Sequence, residues 1–351
     1  MQDHLLISAS PHIRQDVSVR KVMYSVVVAM VPAIVGSVYF YGPRALILTL
    51  LACAAAMLTE AAIQKMRGVP VTVADGSALV TGILLAFNIP PGVPWWMPVV
   101  GAVFAIAIGK QVFGGLGYNP LNPALLGRAF LLASWPVHMT TLWLPGRGGT
   151  LSGMSLSGVD VVSQATPLAV MRSVSEIITD PSSTTHQLVQ AREVLTQLGS
   201  HEMIAKLFVG NVGGCIGETS ALLLLIGAAY LMFKHFIDWR VPGSYILTVA
   251  ALTWVFGGPS GFFTGNALFH ILAGGLILGA FYMATDMVTS PVTPKGMLIF
   301  GVGCGVLTSV IRLIGGYPEG VSYSILLMNV ATPLIDGRTR PRKFGEVKNS
   351  G

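Results

Sequence analysis

The sequence predicts an all-α polytopic membrane protein. We expect about ten transmembrane helices, built as two inverted five-helix repeats with interrupted helices, and an outward-facing helical segment between the halves. Three observations carry this expectation. First, of 351 residues only 36 are charged, 21 basic and 15 acidic, or 10%, against roughly 25% in soluble domains. Hydrophobic residues make up 53%, and the mean hydropathy is +0.70. A soluble globule of this composition would expose far too much apolar surface, which excludes soluble enzymes and nucleic-acid binders. Second, apolar runs recur at spanning length. Third, the chain repeats itself.

Taken in order, the apolar runs cover residues 22–41, 45–63, 77–89, 95–113 and 123–135, then 212–233, 241–256, 267–284, 296–314 and 323–335. A full span needs about 20 apolar residues, so the short third, fifth and tenth runs predict broken or tilted helices. Five regions follow: a cytoplasmic N-terminus 1–21, a first membrane repeat 22–136, an outward segment 137–209, a second membrane repeat 210–337 and a basic tail 338–351. The charged N-terminus (Asp3, Arg14, Arg20, Lys21) has no cleavage motif, so no signal peptide is expected.

Positive charge sets the orientation. With the N-terminus cytoplasmic, inside segments hold Arg14, Arg20, Lys21, Lys65, Arg67, Lys110, Lys234, Arg240 and Lys295, and the tail adds Arg338, Arg340, Arg342, Lys343 and Lys348. Short outside loops hold only Arg44 and, near a helix end, Arg312. Both termini are therefore expected in the cytoplasm. The pI near 9.3 reflects these flanking charges.

The repeat aligns Pro91-Gly-Val-Pro94-Trp-Trp-Met97 with Pro291-Val-Thr-Pro294-Lys-Gly-Met297, Gly101 with Gly301 and Gly115 with Gly315. A one-residue slip brings Gly117-Tyr118 onto Gly316-Tyr317. Prolines and glycines are constrained backbone positions, so their coincidence outweighs shared composition. The match pairs the fourth span with the ninth; an odd number of crossings inverts the second copy, an architecture of transporters. Polar residues gather at the breaks: Asn88, then Thr285, Asp286, Thr289 and Ser290, and Asn119 and Asn122 entering the fifth span.

In the outward segment, residues 140–157 are rich in Gly, Ser and Thr. Leu168, Met171, Val174, Ile177 and Ile178 then recur at helical spacing. Thr166 falls at the N-cap and Pro167 at the first helical position. A second amphipathic stretch runs through Leu188, Val194, Leu198 and Ile204. A helix N-terminus of this kind favours phosphate, although a capping hydroxyl needs no ligand.

A family resemblance is carried by Phe113-Gly-Gly-Leu-Gly-Tyr-Asn-Pro-Leu-Asn-Pro-Ala-Leu-Leu-Gly-Arg-Ala-Phe130. Asp75-Gly-Ser-Ala-Leu79, Ser163-Gln-Ala-Thr166-Pro167-Leu168 and Ala284-Thr-Asp-Met-Val-Thr-Ser-Pro-Val-Thr-Pro-Lys295 add to it. Together they resemble the RnfD/NqrB family over essentially the whole chain, and the short N-terminus is more like RnfD. The resemblance implies a membrane flavoprotein subunit of a redox-driven Na⁺ or H⁺ pump. In Rnf complexes the couple is ferredoxin and NAD, and in the related Nqr complexes NADH and quinone. It implies FMN esterified through its phosphate to Thr166 within Ser163-Gln164-Ala165-Thr166, where Gln164 replaces the usual Gly. A second, non-covalent flavin such as riboflavin is left open. The implied partners are further Rnf subunits, including a second covalent-FMN subunit and iron–sulfur subunits, together with a flavin transferase acting outside the cytoplasmic membrane. The implied setting is a prokaryotic inner membrane.

Arg128 is costly inside a span and is expected to face the cofactor or to pair with Glu218 or Asp286. With Ser163, Pro167, Asn119 and Asn122 it completes the expected cofactor residues around Thr166. Glu60, Glu218 and Asp286 are candidates for an ion path, with structural pairing to Arg128 or to helix N-termini as the alternative. Asp75 is expected to start the third span, His270 to pack, and Trp95 and Trp96 to sit at the membrane interface. Cys53, Cys215 and Cys304 lie in apolar runs without metal-ligand spacing. No dinucleotide fingerprint or cysteine cluster calls for NAD or an iron–sulfur centre here. The competing functions are an NqrB-like subunit, a cofactor-free channel or transporter on the same scaffold, and a plain membrane anchor.

Overall fold

The computed structural model describes residues 17–143, 166–258, 261–315 and 319–340, and among these every regular element is helical. The first half contains α1 (Val19–Tyr41), α2 (Pro43–Met66), α3 (Ser77–Phe87), α4 (Trp96–Ile106), α5 (Pro123–Ser134) and the short α6 (Pro136–Thr141). Next come α7 (Pro167–Thr179), α8 (Thr185–Leu198) and α9 (His201–Val209). The second half contains α10 (Ala221–Phe233), α11 (Arg240–Phe256), α12 (Ala267–Leu272), α13 (Leu276–Leu278), α14 (Pro294–Leu313) and α15 (Val321–Thr339).

Local chemistry fixes most starts and stops. The Ser18 hydroxyl accepts the Lys21 N–H at 3.2 Å to open α1, and Gly42, at φ +79°, turns the chain into α2. Pro43, Pro123, Pro136, Pro167 and Pro294 each stand in a first helical turn, where the missing N–H costs nothing. Asp75 accepts the Ser77 N–H at 2.7 Å and so starts α3, as expected.

Of the described helices, α1, α2 and α14 are both long and apolar enough to cross a membrane. The 23 residues of α1 rise about 34 Å. By contrast α3, with 11 residues, rises about 16 Å, roughly half a hydrocarbon core. Two expected spans change form. The run 212–233 is α-helical only from Ala221, because Gly213, Gly214 and Gly217 precede it; a Cβ on Gly217 would stand 2.3 Å from Phe87. The run 267–284 breaks after α12 at Gly274, whose φ of +69° suits glycine, and continues through α13 into a π-helical turn, Gly279–Met283. A second π-helical turn, Ala107–Gln111, ends α4.

The two proline junctions lie at opposite ends of α1. Arg44, just past the end of α1, donates to the carbonyls of Gly92 and Val93 at 3.1 and 3.0 Å. Met287 and Val288, just ahead of Pro291, share a cavity with Val22 and Met23 at its beginning. One apolar core binds the two halves, and α1 meets α10 so closely that a Cβ on Gly227 would stand 1.9 Å from the Ala29 carbonyl oxygen. A separate cluster packs α7, α8 and α9 over α12: Leu168, Val174, Val194, Leu198 and Leu207 surround Phe269.

Candidate functional site at the head of α7

Thr166 is the N-cap of α7, in extended backbone, and its hydroxyl accepts the Ala169 N–H at 3.3 Å. Pro167 follows at the first helical position, as the sequence predicts. Ser163, Gln164 and Ala165 lie outside the described residues. Thr166 is 4% exposed and lines a cavity of about 360 Å³ with Arg128, Thr140, Trp143, Glu319 and Ser322. Small-molecule sites run to roughly 300–1,000 Å³, so this one has the volume of a ligand pocket. It lies at the Pro91 end of the molecule, since the neighbouring Leu142 carbonyl accepts the Gly92 N–H at 3.2 Å.

Arg128 is buried, and its partner differs from the expectation. Neither Glu218 nor Asp286 pairs with it; Arg128 Nη2 donates to Glu319, while Nη1 donates to Asn88 Oδ1 at 3.0 Å and Ser322 Oγ at 2.6 Å. Asn88 is the C-cap residue of α3, so the guanidinium sits at the negative end of that short helix. Arg312 does the same for α12: its guanidinium donates to the carbonyls of His270 and Ala273. Each interrupted half therefore has a buried arginine at a helix C-terminus.

Glu218 closes the 3₁₀ turn Ile216–Glu218 ahead of α10 and lies beside this arrangement. The Cys215 sulfur and one carboxylate oxygen each of Glu218 and Glu319 fall within 4.8 Å of one another. Cys215 is thus buried as expected, but next to two acids.

The structure separates Asn119 and Asn122 from Thr166. They line a second cavity, of about 100 Å³, near the start of α1, together with Ser77, Lys110 and Asp286. Asn122 caps α5 through Oδ1, accepting from Ala124 at 3.0 Å, and donates to the Met283 carbonyl at 3.3 Å. Asp286 accepts the Thr289 hydroxyl at 3.1 Å. Glu60 is structurally paired, but not with Arg128 or a helix N-terminus as the sequence suggested. Its Oε1 accepts from Lys110 Nζ at 2.7 Å and Gln111 Nε2 at 3.0 Å, while Lys110 also donates to Ser77 Oγ at 2.6 Å. Lys110, counted among the loop charges by the sequence, is 1% exposed. His270 packs edge-on to Phe269 at 5.7 Å.

Sequence reasoning missed Glu319, Ser322 and the buried role of Lys110. Lys110 had a signal: it directly follows the apolar run from Gly101 to Gly109 and answers the equally stranded Glu60. Glu319 had none, because its partner is 191 positions away.

The chain matches the NQR2, RnfD, RnfE family over residues 6–345. It belongs to that family. Among similar proteins, a subunit of the proton-translocating ferredoxin:NAD(+) oxidoreductase complex of Clostridium ljungdahlii is 49% identical over 340 residues, covering 97% of this chain and 96% of that one. Its counterpart in the Na(+)-translocating ferredoxin:NAD(+) oxidoreductase complex of Acetobacterium woodii is 47% identical, covering 98% and 96%. The counterpart in the ion-translocating oxidoreductase complex of Stutzerimonas stutzeri is 40% identical, covering 93% and 92%. Family membership, full-length likeness and the apolar helices make this a membrane protein of the RnfD type.

Proposed function

We propose that this chain is the RnfD component of an ion-translocating ferredoxin:NAD oxidoreductase complex, completing no reaction alone, and that it carries FMN as a phosphoester of Thr166. One observation carries the cofactor reading: a capping threonine at a proline-started helix opens on a ligand-sized cavity that also holds a buried guanidinium. The free N–H groups at the head of α7 and the positive end of its dipole favour an ester phosphate, and Arg128 adds positive charge. When bound, the flavin supplies the electron-carrying chemistry; the chain positions it and keeps water out. Trp143 and Ser322 line the same cavity.

The same reading gives the membrane arrangement. The scaffold is two inverted five-helix repeats in a prokaryotic inner membrane, with cytoplasmic termini and Thr166 outward. The proline junctions at opposite ends of α1 support the inversion, and the outward position suits a flavin transferase acting there. Neighbouring subunits with iron–sulfur centres and a second covalent FMN supply and receive the electrons. Glu60, Glu218 and Asp286 serve the ion path. One close relative is named for protons and another for Na⁺, so overall likeness does not choose the ion. A second, non-covalent flavin such as riboflavin is given no site in this reading.

Thr166→Ala tests the central claim. In-gel flavin fluorescence of the protein should vanish, while loss of the cap costs only about 0.5–2 kcal/mol and leaves insertion intact. Ser163→Ala keeps the linking oxygen and should keep the fluorescence. Fluorescent Thr166→Ala protein would place the flavin elsewhere.

A further inference from the structure

Behind the Thr166 cavity lies a second, much smaller one, of about 10 Å³, lined by Thr166, Glu218, Glu319, Gly213, Gly214 and Gly274 among others. That volume admits about one water-sized particle. Glu218 is 9% exposed, and its Oε1 is a buried carboxylate oxygen with no hydrogen-bond partner in the described structure. Glycine makes room for it, since a Cβ on Gly275 would stand 2.6 Å from Oε1.

Glu218 has no salt-bridge partner among the described residues. Glu319 is committed to Arg128. Arg312 approaches from α14 behind Gly274, but its guanidinium serves the carbonyls of His270 and Ala273. From α1 the Tyr41 hydroxyl donates to the carbonyls of Val212 and Gly214. Cys215 leads into the same turn. Glu218 therefore has two arginines within its field but no cation of its own. A phosphoester on Thr166 would add a further negative charge at the same wall, and in a low-dielectric interior an uncompensated charge is expensive.

We propose that the cavity between Glu218, Glu319 and Thr166 is a monovalent-cation site, which takes one proton or one Na⁺ at the Glu218 carboxylate as negative charge builds at Thr166. It rests on the flavin reading above. Each electron delivered to that flavin by a neighbouring carrier of the complex adds one negative charge. One cation enters and offsets it; when the electron leaves, the cation leaves. With a proton, the Glu218 carboxylate becomes a carboxylic acid, and no other bond changes. With Na⁺, the carboxylate oxygens of Glu218 and Glu319 are the hard ligands such an ion prefers.

The test uses the assembled complex in lipid, as wild type, Glu218→Gln and Glu218→Asp. Infrared difference spectra are recorded without an electron donor, first across pH in Na⁺-free buffer and then on adding NaCl. A wild-type carboxylic-acid C=O band that follows pH identifies the proton, and carboxylate bands that follow NaCl identify Na⁺. Either response should be lost in Glu218→Gln and displaced, not lost, in Glu218→Asp. Identical wild-type and Glu218→Gln spectra in both titrations overturn the proposal. If the Gln protein does not assemble, a Glu218→Asp spectrum indistinguishable from wild type overturns it equally. In the loaded complex, Glu218→Gln should also abolish the pH or Na⁺ dependence of the flavin midpoint potential. In-gel fluorescence, read separately, reports the flavin itself. Fluorescence without a Glu218-dependent band sinks only the cation site, whereas a band without fluorescence sinks the flavin and, with it, the electron-coupled uptake.

Discussion

Arg128 shows what a buried charge demands of its surroundings. Its guanidinium meets one carboxylate, one amide oxygen and one hydroxyl, drawn from two separate parts of the chain. Glu319→Gln removes the charge partner and leaves the arginine unpaired. Breaking a buried pair this way typically costs about 3–5 kcal/mol, so the variant should melt well below wild type in detergent. Arg128→Leu combined with Glu319→Leu should recover much of that loss, since no charge is then stranded. The same logic applies to Lys110 and Glu60. Lys110→Met alone should destabilise strongly and Lys110→Met with Glu60→Gln much less, as a double-mutant cycle on melting temperature would read. Arg128 and Glu60 stood out in the sequence as charges in or beside apolar runs, while Lys110 was counted among the loop charges. The pairings themselves were not legible, because contacts across 191 or 50 positions leave no local pattern.

At the scale of helices, legibility follows the range of the forces involved. The cap of α7 was readable because Thr166-Pro167 and the spacing of Leu168, Met171 and Val174 act within one or two turns. The start of α14 at Pro294 falls two residues before the expected run, because proline opens a helix there instead of breaking one. The late start of α10 was not, because the glycines before it are shaped by Phe87 of another helix. Nor could the sequence show that Asn122 caps α5 beside one cavity while Thr166 caps α7 beside another. Close helix approach also has a local test. Gly227→Ala should abolish folded protein, because its Cβ would collide with the Ala29 carbonyl. Gly337→Ala, with nothing within 4 Å of the new Cβ, should express normally; fluorescence size-exclusion profiles would show the contrast.

Across the whole molecule, orientation is the property that ties the chemistry together. The composition made a membrane protein legible, and positive charge gave a direction. Lys110 proves to be buried and paired, so it contributes little to that count. The remaining loop charges carry the same direction. A cysteine at Ser182, an exposed turn residue between α7 and α8, should react with a membrane-impermeant maleimide added outside intact cells, and a reporter fused after Gly351 should stay in the cytoplasm. Labelling of Ser182→Cys only after permeabilisation would reverse the whole arrangement and carry Thr166 inward with it.

The two arginines at helix ends bear on permeability. Arg128 and Arg312 both lie towards the end that carries Thr166, each fixed by hydrogen bonds to the close of a short helix. Glu319 largely cancels the charge of Arg128, but Arg312 donates to carbonyl oxygens, and its charge repels a stray cation by several kcal/mol at close range, even at the effective dielectric of about 20 that suits protein interiors. A protein holding back a membrane potential benefits from that repulsion, since it is an insulator at rest.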